Sequence, residues 1–260
     1  MQHIFLSHDV DWRKQGASIE HILARKDRFD DDILRKLDTK NPYYNLPEYM
    51  EIEERFSVRS TFFFRTIYEN GDFHDYEDDI KNLIDGGWEI GLHTDPKSVY
   101  SFEKIENEKK NLEKLTKKKI LGNRVHYLGF DEDFPAKLQK LEFVYDSSIR
   151  NSKDLINSKE MGFFHYDKII EFPITLMDAY MFTYMKINEE QIIPTFKKTL
   201  DIGREVNSDF NVISVIWHDN VLKMKGGRMY EKILEFLSSE EDVEIHRGID
   251  IVDLINRNVS

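Results

Sequence analysis

The feature that most constrains the fold is a repeated alternation. Short runs rich in β-branched and aromatic residues fall at 4–9, 61–66, 88–94, 124–130, 143–149, 169–174, 212–218 and, more weakly, 243–246. Between them lie stretches with helical spacing at 75–84, 101–119, 189–206 and 229–237. In the second of these Phe102, Ile105, Leu112 and Leu115 share one face while Glu and Lys cover the rest, as on a solvated outer helix. Strand followed by helix, many times over, implies parallel strands joined by right-handed crossovers, hence a doubly wound sheet or a barrel. Seven or eight such units in 260 residues favour an α/β fold of the (β/α) barrel kind. Two segments break the rhythm, 12–54 and 151–184, and excursions of that length tend to be lids or walls around a site. No linker divides the chain, so residues 1–260 are expected to form a single domain with two long loop insertions.

Charge and cysteine usage narrow the chemistry. Lys plus Arg is 37 and Asp plus Glu 49, a net charge of −12, which disfavours nucleic-acid or anionic-membrane partners because such binding rests on basic side chains. Cysteine is absent, so any metal must be held by His, Asp or Glu. Charge arrives too early after Met1 for the apolar core of a signal peptide, and no stretch approaches the 18 or so apolar residues of a membrane span. The expectation is a cytoplasmic protein with no membrane insertion.

Four histidines end predicted strands or sit at one: His8, His93, His126 and His218. Acids accompany them, with Asp9 and Asp11 after His8, Asp95 after His93, Asp146 ending its run and Asp219 after His218. In a parallel barrel such ends share one face, where active sites of this architecture lie. The arrangement predicts one cluster of metal ligands and acid–base groups. His3, His21, His74, His165 and His246 lack that setting and are expected to be structural.

Ser7-His8-Asp9-Val10-Asp11-Trp12, Glu89-Ile90-Gly91-Leu92-His93-Thr94, Arg124-Val125-His126-Tyr127-Leu128, Tyr145-Asp146-Ser147-Ser148 and Ile216-Trp217-His218, in that order, resemble the polysaccharide deacetylase family, the NodB-homology or carbohydrate esterase family 4 group. More narrowly they resemble a branch whose first motif reads His-Asp-Val-Asp. The resemblance covers nearly the whole chain. It implies a distorted (β/α)7-type barrel and a hydrolase that removes N-acetyl groups from the sugars of a polysaccharide or its precursor, using a divalent metal such as zinc.

Carried onto this sequence, the resemblance makes Asp9 the catalytic base, Arg124 the residue that orients it and His218 the acid that protonates the leaving amine. Asp146 is the nearest match to the acid partner of His218, with Asp178 a competitor. His93 matches the first metal-binding histidine. Two departures concern the metal: the family's aspartate ligand falls on Val10, and its second histidine on Lys97. Asp11, one residue further, and His126, where the family has proline, can take those places, so the expected ligands are Asp11, His93 and His126, with Asp95 and His8 in reserve. Trp12, Tyr43, Tyr44, Phe163 and Phe164 are candidates to stack on sugar rings, although core packing suits most of them better. The defects at Val10 and Lys97 keep two alternatives open: a metal-independent C–N hydrolase of the same fold, and a non-catalytic carbohydrate-binding relative. A glycosidase would leave the strand-end histidines unexplained.

Overall fold

The computed structural model describes residues 1–206 and 210–258. The chain opens with β1 (Gln2–Val10), then runs through a loop carrying α1 (Ile19–Leu23) and α2 (Asp31–Leu34) into α3 (Leu46–Arg55). Four strand–helix units follow: β2 (Thr61–Phe64) with α4 (Glu77–Asp85), β3 (Glu89–Thr94) with α5 (Phe102–Thr116), β4 (Gly122–Val125) with α6 (Phe134–Lys140), and β5 (Tyr145–Asp146), whose place of a helix is taken by the hairpin β6 (Phe164–Tyr166) and β7 (Ile169–Glu171). The last part holds β8 (Ile174–Met177), α7 (Asp178–Thr183), α8 (Glu189–Glu205), β9 (Asn211–Ile216), α9 (Tyr230–Ser239), β10 (Val243–His246) and α10 (Gly248–Asn258).

One sheet runs β6-β7-β5-β4-β3-β2-β1-β9-β8, with β10 added along the start of β1. Every pairing is parallel except the β6–β7 hairpin. The sheet curls until its two ends approach, where the Ile174 N–H donates to the Ile149 carbonyl at 2.8 Å. The architecture is therefore the curled (β/α) barrel expected from the alternation.

Strand periodicity explains the two layers of core. Ile4, Leu6 and Val10 of β1 and Phe62 and Phe64 of β2 pack outward beneath the helices, whereas Phe5 and Phe63 point into the barrel with Tyr145 and Phe172. Both faces are covered, so Thr61-Phe62-Phe63-Phe64 is apolar without alternation. Gly91 makes room for that filling, because a Cβ there would lie 2.4 Å from the Phe63 ring. Ile251, Val252 and Ile255 of α10 join the same inner cluster and plug the N-terminal end of the barrel.

Several predicted runs are shortened, 143–149 most of all to Tyr145–Asp146, and in two others the cause is plain. The run 169–174 divides into β7 and β8 around Phe172-Pro173, since proline has no N–H for a ladder, and β7 pairs with β5 while β8 pairs with β9. The run 124–130 ends at Val125, after which Tyr127 and Leu128 adopt φ of 61° and 55° in a tight left-handed turn. Such turns cost about 1–3 kcal/mol for a residue other than glycine, so packing around them must hold the shape. The insertion 12–54 is not loose loop: Ala17, Ile22, Phe29 and Tyr43 bury themselves with Met224 in a small core of their own.

Candidate active site

Because β1 remains a strand through Val10, residues 9 and 11 project to the same side and Val10 to the other. Asp9 thus faces the barrel interior, while Val10 is fully buried among the outer core residues. Asp11 stands just beyond the strand end above Asp9, and a carboxylate at position 10 would point away from both.

Arg124, fully buried on β4, crosses the barrel to reach them. Its Nη1 donates to Asp9 Oδ1 at 2.7 Å and to the Ser7 hydroxyl at 2.9 Å, and its Nε and Nη2 donate to the Ser147 carbonyl and hydroxyl at 2.9 and 3.0 Å. The guanidinium also lies 4.3 Å from the centre of the Phe63 ring. Burial would raise the Asp9 pKa, but Arg124, His93 and His218 outweigh it and hold the carboxyl below its ordinary value. Asp9 is a carboxylate with one oxygen anchored and the other, Oδ2, turned toward His93 Nε2 at 3.8 Å and His218 Nε2 at 4.0 Å.

Three further side chains converge beside it. Asp11 Oδ1 lies 3.1 Å from His93 Nε2 and 3.2 Å from His126 Nδ1, and the two ring nitrogens are 3.1 Å apart. The protonation of His93 follows from its other side: Nδ1 faces the Arg124 carbonyl at 3.0 Å, a group that only accepts, so Nδ1 carries the proton. In neutral His93, Nε2 then offers a lone pair to the lone pairs of Asp11. A hydrogen bond from His126 relieves one of these contacts and leaves the other unfavourable, whereas a cation relieves all of them. The spacing fits as well, because ligands about 2.0–2.1 Å from a tetrahedral ion stand roughly 3.3 Å apart. The donor set of Asp11, His93 and His126 suits a divalent cation, with the Nδ1–H···O=C bond fixing the His93 ring as ligand histidines require.

His218 follows β9. Its Nδ1 donates to Asp178 Oδ1 at 2.6 Å and its backbone N–H to Asp178 Oδ2 at 2.9 Å, which leaves Nε2 facing Asp11 Oδ2 at 3.6 Å. Burial would lower the His218 pKa, but Asp178, and then Asp11 and Asp9, push it up to about 10. The expectation that Asp146 partners His218 is not met. Asp146 Oδ1 accepts from the Asn123 amide at 2.7 Å and the Ser148 hydroxyl at 2.9 Å, and the residue pairs with Glu171 across the β5–β7 ladder. Burial raises the pKa of both carboxyls, and Asp146 pushes Glu171 higher still. Asp178 wins because it starts α7 at the end of β8, the strand adjacent to β9.

The reserve ligands point elsewhere. His8, on the outward face of β1, bridges the Trp217 carbonyl at 2.5 Å and Glu53 Oε1 at 2.8 Å, where Glu53 also accepts from Ser60, Trp88 and Tyr230. Asp95 caps the Lys97 N–H and sits 3.4 Å from Arg65, while the Lys97 side chain is exposed. Of the aromatic candidates, Tyr43 is buried and Tyr44 donates to Asp79. One residue near the cluster carried no sequence signal, Arg65, whose Nη1 donates to the Asp11 carbonyl at 3.3 Å; Asp219, expected there because it follows His218, is wholly buried beside Asp11 with its pKa raised by burial and by that neighbour. A cleft of about 380 Å³ opens onto Asp9, Asp11, His93, His126 and His218, walled by Tyr127, Leu128, Lys153, Met177, Tyr180 and Tyr184.

No family model and no curated protein matches the sequence. The fold does have solved counterparts. A putative polysaccharide deacetylase from Mycobacterium smegmatis superposes with a TM-score of 0.67 at 18% identity, covering 99% of this chain and 91% of its own. A probable polysaccharide deacetylase from Pseudomonas aeruginosa PAO1 gives 0.68 at 16%, covering 98% and 91%. A Puue allantoinase gives 0.66 at 15%, covering 96% and 88%. The chain therefore has the polysaccharide deacetylase fold. Among the described residues no helix is long and apolar enough to cross a membrane.

Proposed function

We propose that this chain, as one catalytic domain over residues 1–260, hydrolyses the amide of an N-acetylated sugar in a polysaccharide or its precursor, with a divalent cation, zinc or a similar ion, held by Asp11, His93 and His126. The observation that carries the reading is the meeting of two complementary sets in one cleft: a ligand triangle whose lone pairs face each other, and beside it a carboxylate and an imidazolium that the fold holds in opposite charge states.

Amide hydrolysis needs a stronger nucleophile than water, stabilisation of the developing oxyanion, and a proton for the departing amine. A bound divalent cation supplies the first two by polarising the acyl carbonyl and lowering the pKa of water toward about 7. The chain supplies the rest. Asp9 Oδ2, unencumbered because Arg124 holds Oδ1, takes the proton from the attacking water. Arg124 keeps Asp9 ionised and holds its Oδ1 with one hydrogen bond, while three more to Ser7 and Ser147 fix the guanidinium itself. His218, already protonated at neutral pH, gives the Nε2 proton to the amine while Asp178 stabilises the cation and sets the ring. A positioned base and acid are each worth on the order of a hundredfold to ten-thousandfold in rate.

The test is release of free amine from N-acetylglucosamine oligomers by protein stripped of metal and then reloaded with Zn2+ or Co2+. Turnover should need one equivalent at the Asp11 cluster and vanish in His126→Gln. A small-amide hydrolase is the second reading, favoured by the likeness to an allantoinase fold. Turnover that survives chelation, or confined to small amides, would decide for it.

A further inference from the structure

The reaction above uses only one end of the barrel. At the other, His3 lies on the same inward face of β1 as Asp9, six residues earlier and so about 20 Å away along the strand. In the β1–β10 ladder His3 stands opposite Glu244 and Phe5 opposite His246. Strand alternation puts Glu244 and His246 on one face of β10, and the three side chains meet. His3 Nδ1 and His246 Nε2 are 3.2 Å apart, His246 Nε2 and Glu244 Oε2 3.3 Å, and His3 Nδ1 and Glu244 Oε2 3.6 Å. His3 is buried and stacks on Phe210 with ring centres 4.3 Å apart, so its nitrogen is fixed. The Glu244 side chain is 50% exposed, which leaves the triangle a path to solvent.

A hydrogen bond would use one edge of this triangle. A cation would use all three, and all three are close to the roughly 3.3 Å that separates ligands of a tetrahedral ion. Among the described residues, this group and the Asp11 cluster are the two that bring three such ligand atoms together. Two imidazole nitrogens and one carboxylate suit zinc or a neighbouring borderline ion rather than calcium or magnesium.

We propose that His3, Glu244 and His246 form a second divalent-cation site, structural rather than catalytic, that staples β10 to β1. The strand it would fasten is four residues long and pairs with β1 alone, and it leads directly into α10, the helix that plugs the barrel. The site does not depend on the reading of the Asp11 cluster.

The experiment removes that cluster first. Protein carrying Asp11→Asn and His93→Gln is stripped, incubated with Zn2+, desalted and assayed for metal and thermal unfolding. It should retain one equivalent, and Zn2+ at about a hundredfold excess over Kd should raise Tm by roughly 5–10 °C. Glu244→Gln, at an exposed position, should keep the fold yet weaken Zn2+ binding by more than about tenfold, and His246→Gln should abolish it together with the rise in Tm. No retained zinc in the parent double variant, or equal retention after His246→Gln, overturns the proposal. Should the double variant fail to fold, His246→Gln in the otherwise wild-type chain must lower bound zinc by one equivalent, and Glu244→Gln must weaken one site by more than about tenfold.

Discussion

Replacing Asp178 by Asn is the sharpest test of how the cleft divides its protons. Asp178 is wholly buried, accepts the Nδ1 proton of His218 at 2.6 Å and accepts its backbone N–H at 2.9 Å. Burial alone would drive the His218 pKa below its ordinary 6.5, and the Asp178 carboxylate is the largest influence that lifts it to about 10. Asparagine keeps the shape and removes the charge, so the pKa should fall back toward its ordinary 6.5, each unit being worth about 1.4 kcal/mol between the two protonation states. The sign is fixed by the direction of the shift. A raised folded pKa contributes stability that is fully present below pH 6.5 and is lost as pH climbs through about 10. The variant should therefore lose most stability at or below pH 6.5 and little near pH 10. At pH 8 a group of pKa 10 is almost fully protonated, whereas one of pKa 6.5 is about 3% protonated, so kcat/KM should drop roughly 30-fold there from protonation alone and far less near pH 6. NMR titration of the His218 ring in metal-free protein reads the pKa directly, and a pH–rate profile reads its consequence. An unmoved midpoint, or a loss of rate equal at every pH, would refute the assignment of Asp178 as the group that keeps His218 charged.

Asp9→Asn should lower amine release by at least about a hundredfold while leaving zinc content unchanged, as the proposed role of Asp9 as base and not ligand requires. Arg124→Met should leave the buried Asp9 carboxylate without its partner and cost about 3–5 kcal/mol, read as a lower urea midpoint at unchanged m. Val10→Asp should place a charge in the outer core, lowering stability by several kcal/mol without adding metal affinity. Lys97→Ala should change bound zinc and turnover less than about twofold, because the side chain is exposed and is not among the proposed ligands.

The barrel was legible because its signal is collective: apolar runs buried on both faces, recurring with helical stretches between them, admit few architectures. What local patterns could not show was where the chain changes strand. Phe172-Pro173 reads as part of one run, yet proline breaks the ladder and sends β7 and β8 to opposite ends of the sheet. That break is also why Asp178 was hard to place. The order of motifs along the chain puts Asp146 in the frame, but the contact depends on β8 lying beside β9, a pairing between residues about 40 apart. The helix α10 was missed because the plug of a barrel has no counterpart in the repeating unit.

For the proposed ligand set, strand geometry explains how a displaced motif would still bring its donors together. A residue moved by one position along a strand changes face, so a donor at position 10 would point outward with Val10, away from Asp9 and Asp11. A move of two positions from Asp9 returns to the inner face one rung higher, where Asp11 meets His93 from β3. The second histidine is gained the same way, by position rather than by sequence spacing. β4 lies beside β3 in register, His93 opposite Arg124, so a histidine two residues beyond Arg124 enters the cleft from the adjacent strand and stands 3.1 Å from His93. On the proposed ligand set, position 97 would take no part in the site, and its lysine side chain is exposed.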